Sequence, residues 1–469
     1  MASPVIPLVV ATALFMENAD STILATALPT IAKDLGLDPI ALKLAVTSYL
    51  VSLAVFIPIS GWMADRAGAR TTFRAALIVF MVASIGCAYS NTLSQFVIWR
   101  AVQGIGGAMM VPVGRMVVIR AVPREELVRA LSFIAMPALI GPMLGPPLGG
   151  LIVTVADWRW IFFVNIPIGI LGLILATLYI PDLREEERTP LDMKGFALSA
   201  LGFGGLILGL AMSGRRIAPP EVALACATVG AVALLLYVRH ALTVPRPLLD
   251  LRLLRFRTFE AGILGGLFFR FGVGASAFLL PLMLQLAFGL DALNSGLITF
   301  AGAVGAIAVK PIARPILQRF GFRNLLIVNG ALASAVLMAY GLFTAGTPHI
   351  VLLGVLLLGG FLRSLQFTSL SAITYAEVER AQVGSATSIA SVGQQISVSF
   401  GVAMGAMVLE FSEQLRGHAH PQTEDFAAAF VFVGMVSMCT TLLMLRLPAG
   451  AGDELSGRMV PARQEGGGS

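Results

Sequence analysis

The chain divides into fourteen apolar runs, each about the length of a membrane span, joined by short connections that are basic or rich in Pro and Gly. A helix needs about 20 mostly apolar residues to cross the hydrocarbon core. Breaks at charge clusters and Pro/Gly punctuation place the runs near 6–29, 43–63, 72–90, 95–118, 130–153, 160–180, 194–213, 219–239, 258–288, 293–313, 324–345, 349–373, 382–409 and 424–446. Of the 469 residues only 12% are charged and 57% are hydrophobic, with a mean hydropathy of +0.87. A soluble domain carries about 25% charged residues, so this chain cannot clothe a water-facing surface. A soluble enzyme, a disordered chain and a nucleic-acid-binding domain are excluded on that ground. The expected fold class is an all-α polytopic membrane protein.

The net charge of +6 is unevenly placed. With the N-terminus inside, Lys33, Lys43, Arg159, Arg215, Arg216 and Arg416 are the cations on the outer side. The cytoplasmic connections hold most of the others, beginning with Arg66, Arg70, Arg74, Arg120, Arg124 and Arg129. Lys and Arg concentrate on the cytoplasmic side of membrane proteins, so an even number of spans with both termini inside is expected. Merging 194–239 to reach twelve spans is opposed by Arg215, Arg216, Pro219 and Pro220. The first run lacks a basic leader and passes through Glu17 and Asp20 to Pro29 without a cleavage-type site, which marks a retained helix. Cys87, Cys226 and Cys439 lie in separate runs and imply neither a disulfide nor a metal site. No phosphate-binding loop, H-E-x-x-H or G-x-S-x-G occurs, so the expectation is no enzyme, no cofactor and no direct ATP drive.

A short internal repeat organises the chain. Asp65-Arg66-Ala67-Gly68-Ala69-Arg70, after the second run, aligns with Gln318-Arg319-Phe320-Gly321-Phe322-Arg323, after the tenth, matching two arginines and the glycine. Six-helix halves flanking two inserted helices would put these segments in equivalent places, the pattern of a secondary transporter built from repeated bundles. The expected division is 1–180 as a first bundle, 181–257 as a linker with two extra spans, 258–447 as a second bundle and 448–469 as a cytoplasmic tail. The closing Gly-Gly-Gly-Ser reads as an appended linker.

Five motifs then carry a family resemblance. They are NADSTILATALP (18–29), GWMADRAGAR (61–70), RAVQGIGGAMMVPVGR (100–115), GPMLGPPLGG (141–150) and WRWIFFVNIPIG (158–169). In order and on the expected spans, they make the chain resemble the major facilitator superfamily, and within it the bacterial fourteen-helix drug:proton antiporters. The resemblance covers nearly all of 6–446 and implies a major facilitator fold with 14 transmembrane helices. It further implies alternating access in a bacterial inner membrane, with proton influx driving export of small organic compounds. Gly61, Asp65, Arg66, Gly68 and Arg70 would form a cytoplasmic gate, in a loop that begins after Gly61. Gly141, Pro142, Gly145, Pro146, Gly149 and Gly150 look like the helix 5 motif of antiporters. Two departures stand out: Arg70 is followed by Thr71-Thr72 instead of a second basic residue, and Glu17 is an extra acid.

Ionisable residues inside spans are expensive and mark function. Glu17 and Asp20 are three apart on one helical face, and two carboxylates in a low-dielectric site cannot both ionise cheaply. They are the proton-coupling candidates, with structural pairing to an arginine as the competing reading. Arg100 lies at a similar depth to Asp20, so a buried, protonation-sensitive Asp20–Arg100 interaction is expected. Arg115, Arg270, Lys310, Arg363 and Gln394 complete the cavity candidates, with Arg115 and Lys310 near span ends where they could snorkel. Five cations against two acids favour anionic or zwitterionic cargo. An exporter of organic anions, such as polycarboxylates or metal chelates, is therefore the close alternative to a multidrug exporter. A channel or a sensor is the alternative of a different class. The four-residue interval of Gly141, Gly145 and Gly149 reads as a tight hinge between the bundles. The expected partners are a small-molecule substrate, protons and the lipid bilayer, with no nucleic acid and a monomeric carrier.

Overall fold

The computed structural model describes residues 5–38, 41–121, 141, 144–181, 190–212, 219–245, 247–378, 383–418, 420–448 and 450–452. In lipid every backbone polar group must be satisfied within the chain, and a continuous helix does this for an apolar segment. The helices are α1 (Val5–Leu35), α2 (Lys43–Ala67), α3 (Ala69–Ala88), α4 (Leu93–Ala121), α5 (Leu144–Val155), α6 (Trp160–Tyr179), α7 (Met193–Met212) and α8 (Pro220–Thr243). They continue as α9 (Arg257–Leu282), α10 (Ala292–Ala308), α11 (Lys310–Phe320), α12 (Phe322–Ala339), α13 (His349–Thr374), α14 (Val383–Arg416) and α15 (Thr423–Met444). Thirteen of the described segments are long and apolar enough to cross a membrane. The fourteenth expected span is represented by α5, the rest of 130–153 lying mostly outside the described residues. The architecture is the expected all-helical one.

Two sets of six spans repeat the same pairings. In the first set α2 and α3 pack on α4, and α1 and α3 pack on α6. In the second, α10 and α12 pack on α13, and α9 and α12 pack on α15. The turn that the repeat aligned has the same backbone in both copies. Gly68 joins α2 to α3 at φ +91°, ψ 137°, and Gly321 joins α11 to α12 at φ +72°, ψ 163°. A side chain is strained at such positive φ, so glycine is retained there while its neighbours differ.

The motif around Gly68 corrects the expectation of a loop opening after Gly61. Helix α2 runs on through Asp65 and Arg66 to Ala67, and Gly68 is the residue between it and α3. The charges in ADRAGAR made the segment look like a connection. It is instead the last turns of a helix that emerges from the apolar layer. The tenth span likewise does not stop near 313, because α11 continues its path to Phe320 with a break at Val309.

The two sets touch through α2 against α14, α1 against α9 and α10, and α5 against α10. Gln285, in a π-helical turn (Met283–Ala287) that prolongs α9, donates from Nε2 to the Thr26 carbonyl of α1 at 3.0 Å. The inserted hairpin α7–α8 packs through α7 onto both α2 and α14. One apolar cluster there joins Val51, Ala54, Phe203, Ile207, Ile389 and Val392. At the base of the hairpin, the Asp192 carboxylate meets His240 Nε2 at 2.8 Å and accepts the Gly195 N–H at 2.8 Å.

Candidate functional site

Helix α1 is rich in polar residues at mid-length, and most of them satisfy themselves locally. Asn18 Nδ2 donates to the Leu14 carbonyl, and Ser21 and Thr22 donate to that of Asn18. A carboxylate has no proton to give a carbonyl, so Asp20 must find donors on other helices. It finds three. Arg100 Nη1 on α4 donates to Oδ2 at 2.6 Å, while Gln103 Nε2 on α4 and Asn165 Nδ2 on α6 donate to Oδ1 at 3.0 and 2.8 Å. Gln103 Nε2 and Asn165 Nδ2 also reach Ser84 Oγ on α3 at 2.8 and 3.3 Å. Arg100 Nη1 additionally donates to Gln103 Oε1. Asp20 is 3% exposed, Arg100 1% and Gln103 0%, so the pair is withdrawn from water.

Glycines set the approach of α4. A Cβ on Gly104 would stand 2.6 Å from Ser52 Cβ, and one on Gly107 2.9 Å from the Tyr49 hydroxyl. With α4 held this close to α2, the Arg100 guanidinium lies over the Tyr49 ring, 4.4 Å from its centroid. One face of the cation is thus covered by an aromatic ring and one edge by a carboxylate. Five helices, α1, α2, α3, α4 and α6, meet around this single charge pair.

The structure brings Asp20 and Arg100 together and leaves Glu17 out of their network. Glu17 is half-buried, its Oε2 has no hydrogen-bond partner among the described residues, and the cation whose field reaches it is Arg115 of α4. Arg115 and Gln394 are exposed. Lys310 opens α11 and donates from Nζ to Thr368 Oγ1 of α13 at 2.9 Å. Arg270 of α9 is 6% exposed, faces the Phe367 ring at 5.4 Å and has an Nε without a hydrogen-bond partner among the described residues. Arg363 of α13 is half-buried on the wall of a small cavity. These cations are dispersed over several helices and do not share one cluster with Asp20.

The residues expected to form a gate occupy the end of α2 and the start of α3. Asp65 is half-buried, Arg66 is exposed with its guanidinium 5.5 Å from the Trp62 ring, and Arg70 is half-buried in the first turn of α3. The glycine stripe does not lie between the bundles as expected. A Cβ on Gly141 would fall 2.8 Å from Asn18 Cβ, on Gly145 2.6 Å from Thr22 Cβ, and on Gly149 2.7 Å from the Ile23 carbonyl oxygen. All three contacts are with α1 of the same set. The contact with the other set is made by Gly150, whose Cβ would meet Leu293 Cα at 2.7 Å, and by Pro146, packed on Gly296 of α10. Pro142 lies outside the described residues.

Gln103, Asn165, Ser84 and Tyr49 were not singled out by sequence reasoning. Gln103 and Asn165 stand inside the motifs RAVQG and FVNIP, and a polar amide within an apolar span was the available signal.

A buried ion pair surrounded by five helices, within two repeated sets of spans, defines a polytopic membrane carrier of the two-bundle kind. The sequence profile of the Major Facilitator Superfamily matches residues 10–267 and 262–460. MdtD of Escherichia coli K12, which carries the name of a multidrug resistance protein, is 37% identical over 442 residues, covering 94% of this chain and 92% of the relative. Among solved structures the chain superposes on a D-xylose–proton symporter with a TM-score of 0.69 and 17% identity, covering 96% of this chain and 98% of that one. A human organic anion transporter aligns with a TM-score of 0.61 and 14% identity, covering 94% and 99%. The chain belongs to the Major Facilitator Superfamily. It is a multi-pass membrane transporter for small molecules.

Proposed function

We propose that this transporter exports small organic compounds of the multidrug-efflux type in exchange for protons, by alternating access. The observation that carries the reading is the Asp20 carboxylate, buried and held by Arg100, Gln103 and Asn165. One proton on Asp20 cancels its charge and removes Oδ2 as the acceptor for Arg100. The guanidinium is then held by Gln103 and the Tyr49 ring alone. Helix α1 loses its strongest tie to α4, while its contacts with α9 and α10 remain. A single protonation thereby weakens the hold of its own set on α1 relative to that of α9 and α10, which is the bias that exchange requires. Glu17, beside Arg115, is proposed as a second acid on the proton's route.

The name carried by MdtD supports the drug class. The excess of basic residues at the helix ends and connections around Arg66, Arg120, Arg184 and Arg319 supports a bacterial inner membrane with both termini cytoplasmic. In this reading residues 1–180 and 258–447 are the bundles, 181–257 the inserted pair, and the carrier works as a monomer. Asp65, Arg66 and Arg70 close the cytoplasmic side in one state, and the seam of Pro146 and Gly150 against α10 closes the other.

The test is proteoliposome transport with a panel of lipophilic drugs under an imposed pH gradient. Asp20→Asn is expected to abolish proton-driven accumulation while retaining substrate–substrate exchange. Proton-driven exchange persisting in that variant would sink the assignment of Asp20.

A further inference from the structure

The four helices enclosing Asp20 have counterparts in the second set. Those counterparts, α9, α12, α13 and α15, pair with one another as α1, α3, α4 and α6 do. The space they enclose holds a cavity, where the first set holds a carboxylate. Its walls include Gly272 and Ser276 of α9, Leu337 of α12, Gly359 and Arg363 of α13, and Ser437 of α15. Among the described residues no Asp or Glu lines it. Among the described residues no carboxylate lies within 4.0 Å of Arg363, nor of Arg270 on the neighbouring α9. Both bundles thus place an arginine on the fourth helix of their set, but only the first supplies its anion from within.

An unpaired guanidinium inside the apolar layer is unfavourable, and removing one partner of a buried ion pair is strongly destabilising. Its planar fork of donors matches a carboxylate two bonds at a time. Helical side chains lean toward the N-terminus of their helix, which directs Arg363 toward Gly359, one turn earlier. There the absence of a side chain lets the Tyr340 hydroxyl pack against the α13 backbone, where any Cβ would collide with it, and Tyr340, Gly359 and Arg363 line the cavity together. The open volume is about 30 Å³, against about 10–15 Å³ needed for one water. It fits the two oxygens of a single carboxylate and not a whole drug molecule, so the rest of the cargo must lie outside it.

We propose that this cavity binds one carboxylate group of the transported compound through Arg363, in the place that Asp20 occupies in the first bundle. The cargo class is then amphiphiles bearing a carboxylate, anionic or zwitterionic. This rests on the export reading above and narrows its substrates.

The experiment uses the full-length protein in nanodiscs, with benzoate and its neutral isostere benzamide as probes and sodium chloride as the control anion. Benzoate is expected to raise the melting temperature and benzamide to leave it unchanged. Arg363→Gln should weaken benzoate binding at least tenfold, with Arg363→Lys intermediate. In the absence of ligand, Arg363→Gln should melt no lower than the parent, because it removes an uncompensated charge; an arginine that merely holds helices together would give the opposite. In Asp20→Asn the preference for benzoate over benzamide should persist and should still depend on Arg363, whatever happens to proton-driven transport, so failure of proton coupling and failure of this site are read separately. Equal shifts by benzoate and benzamide, unchanged binding in Arg363→Gln, or an Arg363-dependent response to chloride without one to benzoate would each overturn the proposal.

Discussion

Replacing Arg100 by Gln removes the sole donor to Asp20 Oδ2 among the described residues, a bond of 2.6 Å. Oδ1 keeps its two bonds, from Asn165 at 2.8 Å and Gln103 at 3.0 Å. The remaining carboxylate is 3% exposed, so water cannot supply the lost bond without opening the helices. Breaking a buried pair from one side costs about 3–5 kcal/mol, chiefly through the charge left behind. Loss of a neutral donor costs less, about 1–3 kcal/mol, which is the expectation for Asn165→Ala. The decisive comparison is the double variant Asp20→Asn/Arg100→Gln. With neither charge present it is expected to recover most of the loss and to be more stable than Arg100→Gln alone. Reversible unfolding in mixed micelles at neutral pH, followed by tryptophan fluorescence, gives the three free energies and their coupling. Should the double variant lose the sum of the two single losses, the two charges are energetically independent. The account of α1 tied to α4 through this pair would then be wrong.

Three further outcomes follow from the geometry. Gly149→Ala drives a Cβ into the Ile23 carbonyl, 2.7 Å away on a backbone that cannot yield, and should cost about 1–3 kcal/mol by overpacking; Gly61→Ala meets nothing within 4 Å and should be neutral or stabilising by up to about 1 kcal/mol, both read from thermal melts. Gly68→Ala and Gly321→Ala, at φ +91° and +72°, should each lose about 1–2 kcal/mol, a matched pair that would reveal the repeat in stability data; a loss at one site only contradicts their equivalence. Burial pushes the Asp192 carboxyl up, but hydrogen bonds from Gly195 and His240 outweigh it and hold the group below the ordinary value of 3.8. Its stabilisation is therefore present above the unfolded value and is lost as pH falls through the folded one. The stability gap between the parent and Asp192→Asn should be fully present at about pH 5 and close only below about pH 4; a gap that closes near pH 6 would contradict that sign.

The sequence alone determined the number and order of spans, because a span is a local property: about 20 apolar residues between charges suffice to require a helix in lipid. It also determined the repeat, since glycine at a positive φ leaves a mark at Gly68 and Gly321 that no neighbouring substitution removes. Asp20 and Arg100 were legible as a charge pair because two opposite charges at one depth in an apolar layer have few alternatives. What lay beyond local pattern was left to the tertiary structure. The ADRAGAR charges read as a loop, yet the helix continued, because charge reports emergence from the bilayer and not the end of backbone hydrogen bonding. The stripe of Gly141, Gly145 and Gly149 announced a close approach but not its partner, which is α1 in place of the opposite bundle. Gln103 and Asn165 carry no charge, so only the packing of α4 and α6 against α1 assigns their donors to the carboxylate. The placing of Arg363 on an acid-free cavity was likewise decided there, since what a cation lacks is set by every helix around it.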